Sequence, residues 1–193
     1  TSAEVSGPCT ANFIATPVGT PVGGEITTDV IWTQECSPYI LTSNIQVRYG
    51  GALTIEPGVI VEGNGLSIEV RGSLQAVGTE VARITFNNTH IEAGKPAPYP
   101  EPALIDVEFA NINYGVFLPY KSPEPYVSLV LRDCQLTDIG RPFAFTRFFG
   151  RSIYIERNIF RRTGGIEFRV VGLYGIVSIR NNVFDEQSGD YAI

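Results

Sequence analysis

The sequence predicts an all-β protein coiled as a three-sided solenoid, and three observations lead there. β-Branched residues dominate, with 20 Ile, 18 Val and 15 Thr against 10 Leu, 12 Ala and no Met, a bias toward half-buried pleated strands. The second half of the chain repeats itself at a fixed offset of 24 residues. Within each repeat apolar residues alternate with period two, the spacing of a strand and not of a helix.

The chain has 193 residues and 44% hydrophobic content, enough for a packed core in one domain, or at most two small ones. It contains no uncharged apolar run of some eighteen residues, so no transmembrane helix is expected. The formal charge of −6 is unevenly placed: residues 1–100 carry four Lys/Arg and nine Asp/Glu, residues 101–193 ten and eleven. No basic stripe able to track phosphates emerges, which argues against nucleic-acid binding. Only two of the fourteen basic residues are Lys, a bias that suits packed ion pairs.

Residues 1–43 read as an N-terminal leader or cap. The chain starts at Thr1 with no initiator Met and no charged leader followed by an apolar run, as expected of a mature secreted, extracellular or cell-surface protein. Cys9 and Cys36 share this turn-rich stretch and are expected to close a disulfide around it in an oxidising compartment. The spacing of Cys9, Cys36 and Cys134 matches no zinc motif.

From residue 44 the coils begin. Gly51-Ala-Leu-Thr-Ile-Glu-Pro-Gly58 and Gly72-Ser-Leu-Gln-Ala-Val-Gly78 align 21 residues apart. Between and after them run Val59-Ile-Val61, Leu66-Ser-Ile-Glu-Val70 and Ile84-Thr-Phe86, each alternating inward and outward and bounded by Gly or Asn. Three short strands in 21 to 24 residues is the arithmetic of a three-sided coil. Gly63-Asn-Gly65 is a turn. Asn87-Asn88-Thr89 is an acceptor pattern for N-glycosylation at Asn87, and the lone His90 behind it reads as a turn histidine without a catalytic partner.

Two Pro-rich stretches, 92–102 and 119–126, are expected to leave the coil as loops. They carry Tyr99, Tyr120 and Tyr126, rings that a coil core does not need and that are candidates for contact with a glycan or a partner.

The repeat proper covers four segments: Leu104–Ile112, Ser128–Leu136, Ser152–Phe160 and Ile176–Phe184. Three columns are apolar: Ile105, Leu129, Ile153, Val177; then Val107, Leu131, Ile155, Ile179; then Ile112, Leu136, Phe160, Phe184. A fourth, Ala110, Cys134, Asn158, Asn182, stands beside a turn and suits a hydrogen-bonded ladder between coils. Such a period means a solenoid, because one repeat cannot bury its own apolar face. The outward columns alternate in sign: Glu108, Arg132, Glu156, Arg180, and Asp138, Arg162, Glu186. Parallel strands lie about 4.8 Å apart, so each charge meets opposite neighbours and the columns read as structural ladders. Phe143, Phe145, Phe148 and Phe149 are denser than one inward face requires and suggest a contact surface. The last residues, Tyr191, Ala192 and Ile193, are expected at an uncovered end that takes either more of a longer chain or a second copy docked head to tail.

Trp32, Ser37-Pro-Tyr39 and the Gly51–Gly58 and Gly72–Gly78 segments, with Ile84-Thr-Phe86, resemble the opening coils of secreted bacterial surface proteins of the right-handed parallel β-helix (pectate-lyase-like) superfamily. The resemblance covers about residues 30–193 and implies that fold, while the superfamily hosts lyases, hydrolases, adhesins and structural proteins. Its enzymes use paired acids, or Ca²⁺ on clustered carboxylates with an Arg base. Here no Asp-Asp pair, Gly-His-Gly or Arg-Ile-Lys string occurs; Arg83-Ile84-Thr85 reads as strand, and Asp106, Glu108 and Asp133 look neutralised by Arg132 and Arg157. The sequence therefore reads as a non-catalytic structural or adhesive β-helix, with a filament or surface layer as a possible assembly and no cofactor implied. The alternative is a polysaccharide lyase or hydrolase, or a carbohydrate-binding β-helix.

Overall fold

The computed structural model describes residues 19–94, 103–119, 127–139, 143–146, 152–163, 166–169 and 176–186. Its strands follow one another around three faces. β1 (Thr20–Ile26) comes first, then β2 (Asp29–Trp32) and β3 (Tyr39–Val47). The next coil is β4 (Ala52–Ile55), β5 (Ile60–Glu62) and β6 (Ser67–Val70). After it come β7 (Ser73–Val77), β8 (Ile84–Asn87) and β9 (His90–Ala93), and then β10 (Ala103–Glu108), β11 (Ala110–Asn113) and β12 (Val116–Pro119). The later coils are β13 (Val127–Arg132), β14 (Gln135–Thr137) and β15 (Phe143–Thr146), then β16 (Ser152–Glu156), β17 (Ile159–Arg161) and β18 (Ile166–Arg169), then β19 (Ile176–Arg180) and β20 (Val183–Asp185).

Like strands stack in parallel, as a solenoid requires. The first face is the seven-stranded sheet β2-β4-β7-β10-β13-β16-β19. The second runs through β5, β8, β11, β14, β17 and β20, and the third through β6, β9 and β12. β3 bends across a corner: Tyr39 and Ile40 pair with β5, while Ile45 to Val47 pair with β6. The second and third faces are joined through it.

The register is the one the columns predict. Leu129 lies opposite Ile105 and Ile153, Ile153 opposite Val177, and Phe160 between Leu136 and Phe184. Upstream, Ala52 pairs with Ser73, the offset of 21. Between β7 and β10 it widens, with Ser73 opposite Leu104; the extra chain contains the first Pro-rich stretch. Glu92 and Ala93 still belong to β9, so the departure starts later than residue 92; residues 95–102 and 120–126 lie outside the described residues. Leu53, Leu74, Val107, Leu131, Ile155, Phe86, Leu136 and Phe160 are buried in one continuous core.

The N-terminal boundary is corrected. Coil structure starts well before residue 44, because β1 pairs with β3 from Thr20 opposite Tyr39 to Ile26 opposite Val47, and β2 pairs with β4. The short segment Val22, Ile26, Val30, Trp32 alternates too weakly in sequence to stand out, yet Val22, Ile26 and Trp32 are buried, with Trp32 stacked on Tyr39 at 4.6 Å.

Corners are made in two ways. Gly51 and Gly72 stack where the third face returns to the first, and a Cβ on Gly72 would lie 2.2 Å from the Gly51 carbonyl oxygen, so no larger residue fits. At the other two corners single non-glycine residues take left-handed backbone: Phe109, Asp133, Arg157 and Asn181 in one column, Tyr114, Asp138, Arg162 and Glu186 in the other. One left-handed residue turns the chain between consecutive strands, and its N–H donates to a carbonyl of the next coil: Asp133 to Glu156 at 3.2 Å, Arg157 to Arg180 at 3.1 Å, Asp138 to Arg161 at 3.1 Å and Arg162 to Asp185 at 3.1 Å.

Candidate functional site

The acids and arginines of the repeat stand in columns along the outward side of the strands and at the corners, with Glu156 buried among its partners. At the end of the first face, Arg132 lies 3.3 Å from Glu108 on one side and 3.3 Å from Glu156 on the other. Arg180 reaches Glu156 from the next coil at 2.9 Å. Glu156 also accepts a 2.6 Å hydrogen bond from Ser178 Oγ. That bond, with Arg180 and Arg132 adding to it, holds its carboxyl below the ordinary range against the opposing effect of burial. Arg132 also lies over the Tyr154 ring, 5.0 Å from its centre, a cation–π contact.

The left-handed corners carry two more ladders. Arg157 forks onto Asp133 with bonds of 2.8 and 2.6 Å. Arg162 forks onto Asp138 at 2.6 and 2.7 Å and reaches Glu186 at 3.2 Å. The Arg162 bonds push the Asp138 carboxyl down. The sequence placed the Arg132 and Arg162 charges in alternating columns, and the structure brings those together as read; the Asp133–Arg157 fork forms a further ladder that the columns did not include.

The amide column is likewise a ladder. Asn158 is fully buried; its Oδ1 accepts from the Cys134 N–H at 3.0 Å and its Nδ2 donates to the Leu131 carbonyl at 2.9 Å. Asn182 repeats this one coil on, accepting from the Asn158 N–H at 2.9 Å and donating to the Ile155 carbonyl at 2.8 Å. The side chain thus carries the backbone pattern around a corner where the strands cannot. Cys134 occupies the same column as a free, buried thiol, its Sγ 3.1 Å from the Arg132 carbonyl; burial pushes its pKa up to about 12. Cys36 is held in a disulfide. Its expected partner Cys9 lies outside the described residues, as do Tyr99, Tyr120, Tyr126, Phe148, Phe149, Tyr191, Ala192 and Ile193.

Asn87 is committed on both sides: its Nδ2 donates to Glu62 at 2.8 Å, and its Oδ1 accepts from Asn113 at 3.1 Å. Thr89 of the same acceptor pattern is fully buried with its hydroxyl on the Asn87 carbonyl at 3.1 Å. Asn87 itself is half-buried and Asn88 is exposed. His90 opens β9, half-buried, in register with Ser67 and Val116.

Two polar groups depart from the expectation. Arg83 is not a bare strand residue: it bolts a corner, with Nε on Asn111 at 2.8 Å and Nη2 on the Ala110 and Asp133 carbonyls at 3.0 and 2.6 Å. Nothing in its neighbours signalled this, because the acceptors lie up to 50 residues away. Asp106 is not neutralised as Glu108 and Asp133 are. It stands between Gln75 and Val130, its Oδ1 is buried without a hydrogen-bond partner, and burial, then Glu108, raises its pKa. Alternation in sequence could not separate it from its paired neighbours, since it lies one pleat short of the Arg132 column.

Among the described residues no group of three His, Cys, Asp or Glu side chains is placed to hold a metal ion, and no helix is long and apolar enough to cross a membrane. Over 80 residues the chain is 39% identical to Protein bark beetle of Drosophila melanogaster. That stretch is 41% of this chain and 3% of the fly protein, so the chain spans only a small part of the relative it matches. No protein-family model matches the sequence. No solved structure matches it either.

Proposed function

We propose that this chain is a non-catalytic, rigid segment of a secreted or cell-surface β-solenoid, serving as a structural or adhesive element. One observation carries the reading: the outward acids and arginines of the repeat are directed at each other from coil to coil, in the columns through Arg132, Arg157 and Arg162. Such ladders oppose register slip; the more exposed pairs at Arg157 and Arg162 do little else for stability, while Glu156 is buried among its partners. An extracellular setting is supported by the Cys36 disulfide. The similarity to a small part of a far longer fly protein supports a role as one segment of a large chain. A head-to-tail filament is a further form of this reading, with β2 and β19 as the two last strands of the seven-stranded face.

A second reading, a polysaccharide lyase or hydrolase, is favoured by Asp106 alone. A carboxyl with one oxygen buried and unpartnered, and with its pKa raised by that burial, is the kind of group a general acid requires. The experiment that separates the two is incubation with pectins, alginates and glycosaminoglycans in the presence of Ca²⁺. The structural reading expects no new unsaturated or reducing ends. Their appearance, and their loss in Asp106→Asn, would establish the enzyme instead.

A further inference from the structure

We infer that Asn64-Gly65, at the corner between β5 and β6, is a modification site gated by the coil. It is held closed in the folded protein, converts to aspartate and isoaspartate when this corner opens, and in the modified form keeps the corner from closing again. The inference is independent of both functional readings above.

The dipeptide is the only Asn-Gly in the chain. In such a pair the backbone nitrogen of the second residue can attack the side-chain amide carbon of the first, and glycine carries no side chain to hinder the approach. The Gly65 nitrogen loses its proton and bonds to Asn64 Cγ, the Cγ–Nδ2 bond breaks, and ammonia leaves with the proton. Water then opens the cyclic imide at one of its carbonyl carbons. Opening at Cγ restores the ordinary main chain with an aspartate at position 64, whereas opening at the backbone carbonyl carbon routes the main chain through Cβ and Cγ as isoaspartate. Water is the only co-reactant, and both residues are exposed to it.

In the folded chain the two reacting groups are engaged by different neighbouring coils. Asn64 Nδ2 donates to the Leu41 carbonyl of the coil before, at 3.2 Å. The Gly65 N–H, on the nitrogen that must attack, donates to the Asn88 carbonyl of the coil after, at 2.8 Å. Between these bonds the backbone is left-handed, with φ of 54° at Asn64 and 79° at Gly65, and the turn is closed by the Leu66 N–H on the Gly63 carbonyl at 2.8 Å. Attack therefore requires Gly65 to leave Asn88 and the side chain to leave Leu41. Local opening of the coil frees both at once.

The corner has no slack to accept the product. The Gly63 N–H donates to the Asn87 carbonyl at 2.8 Å, and a Cβ on Gly63 would lie 2.4 Å from the Asn88 carbonyl oxygen. An ionised aspartate at position 64 sets an acceptor where a donor faced the Leu41 carbonyl. Isoaspartate adds a main-chain atom to a turn that connects β5, in register with β8, to β6, in register with β9. An opening event thus leaves a covalent record in the coil.

The test has two arms and uses the full 193-residue chain. Samples are held at mildly alkaline pH, folded or in urea, and the peptide containing Asn64 is resolved by mass spectrometry into its asparagine, aspartate and isoaspartate forms. Conversion in the folded sample is expected to be at least about tenfold slower than in urea. Equal rates, or a faster folded rate, would overturn the clamp. Chains carrying isoaspartate are then separated from the urea sample, returned to buffer beside unmodified chains treated in the same way, and followed by amide exchange at Gly65 and at Asp133, whose N–H bonds to Glu156 in a distant coil. Exchange at Gly65 should be at least about tenfold faster in the modified chains, with Asp133 unchanged. Equal protection at Gly65, or protection lost at both amides, would overturn the claim that the product holds this corner open.

Discussion

Tyr114 is two-thirds exposed and holds φ at 57°, a conformation that costs a non-glycine residue about 1–2 kcal/mol. The exposed ring has one side-chain hydrogen bond, to Asp138 of the next coil, which both variants lose, so Tyr114→Val should be less stable than Tyr114→Gly by about 1–2 kcal/mol, read from urea unfolding. The equivalent corner residues Asp138 and Arg162 show what the strain is offset by: side chains projected toward the coils above and below. This conformation was not legible in the sequence, because left-handed turns are usually announced by Gly or Asn, and here Phe109, Tyr114, Arg157 and Arg162 occupy them. Cys134 was legible, since its column is apolar or amide throughout. With its thiol pKa at about 12 and the side chain buried, it should resist alkylation in the native protein and react only on unfolding; rapid native labelling would contradict the register.

At the scale of the element, inside and outside separate cleanly. Phe160 is fully buried and stacked on Phe184 at 4.9 Å, so Phe160→Ala should cost about 3–5 kcal/mol. Arg157→Ala, on the exposed corner, should cost far less; comparable losses would invert the assigned faces. The charge ladder predicts an acid response. The folded-state pKa of Glu156 is depressed by Ser178 and Arg180, so its stabilisation is present above the ordinary carboxylate value of about 4 and is lost as pH falls through the depressed value. Asp106 has the opposite sign: its raised pKa makes the ionised form a burden, relieved as pH falls. Thermal midpoints followed from pH 7 to pH 3 should therefore show a steep acid loss that flattens in Glu156→Gln, while Asp106→Asn should raise the midpoint at pH 7. The strands on the repeat were legible because inward alternation and a constant offset reinforce each other. β1 and β2 were not, because their pairing with β3 and β4 joins segments that lack the repeat's apolar columns.

For the whole molecule, the account is a stack in which each coil contacts only its neighbours, so stability is close to a sum over coil interfaces. Length can then change in whole coils without changing the architecture. Deleting residues 128–175 removes two coils, sets β10 against β19 and brings Glu108 opposite Arg180, an acid–base contact like the one it replaces. Deleting residues 128–139 is out of step and leaves strands facing corners. The direct measurement is urea unfolding of the two shortened chains beside the parent. The account predicts that the two-coil deletion still unfolds cooperatively, with a smaller denaturant slope in keeping with less surface exposed, and that the out-of-step deletion loses its transition. An unfolded two-coil deletion, or two deletions that behave alike, would contradict the stacked register on which the functional reading stands.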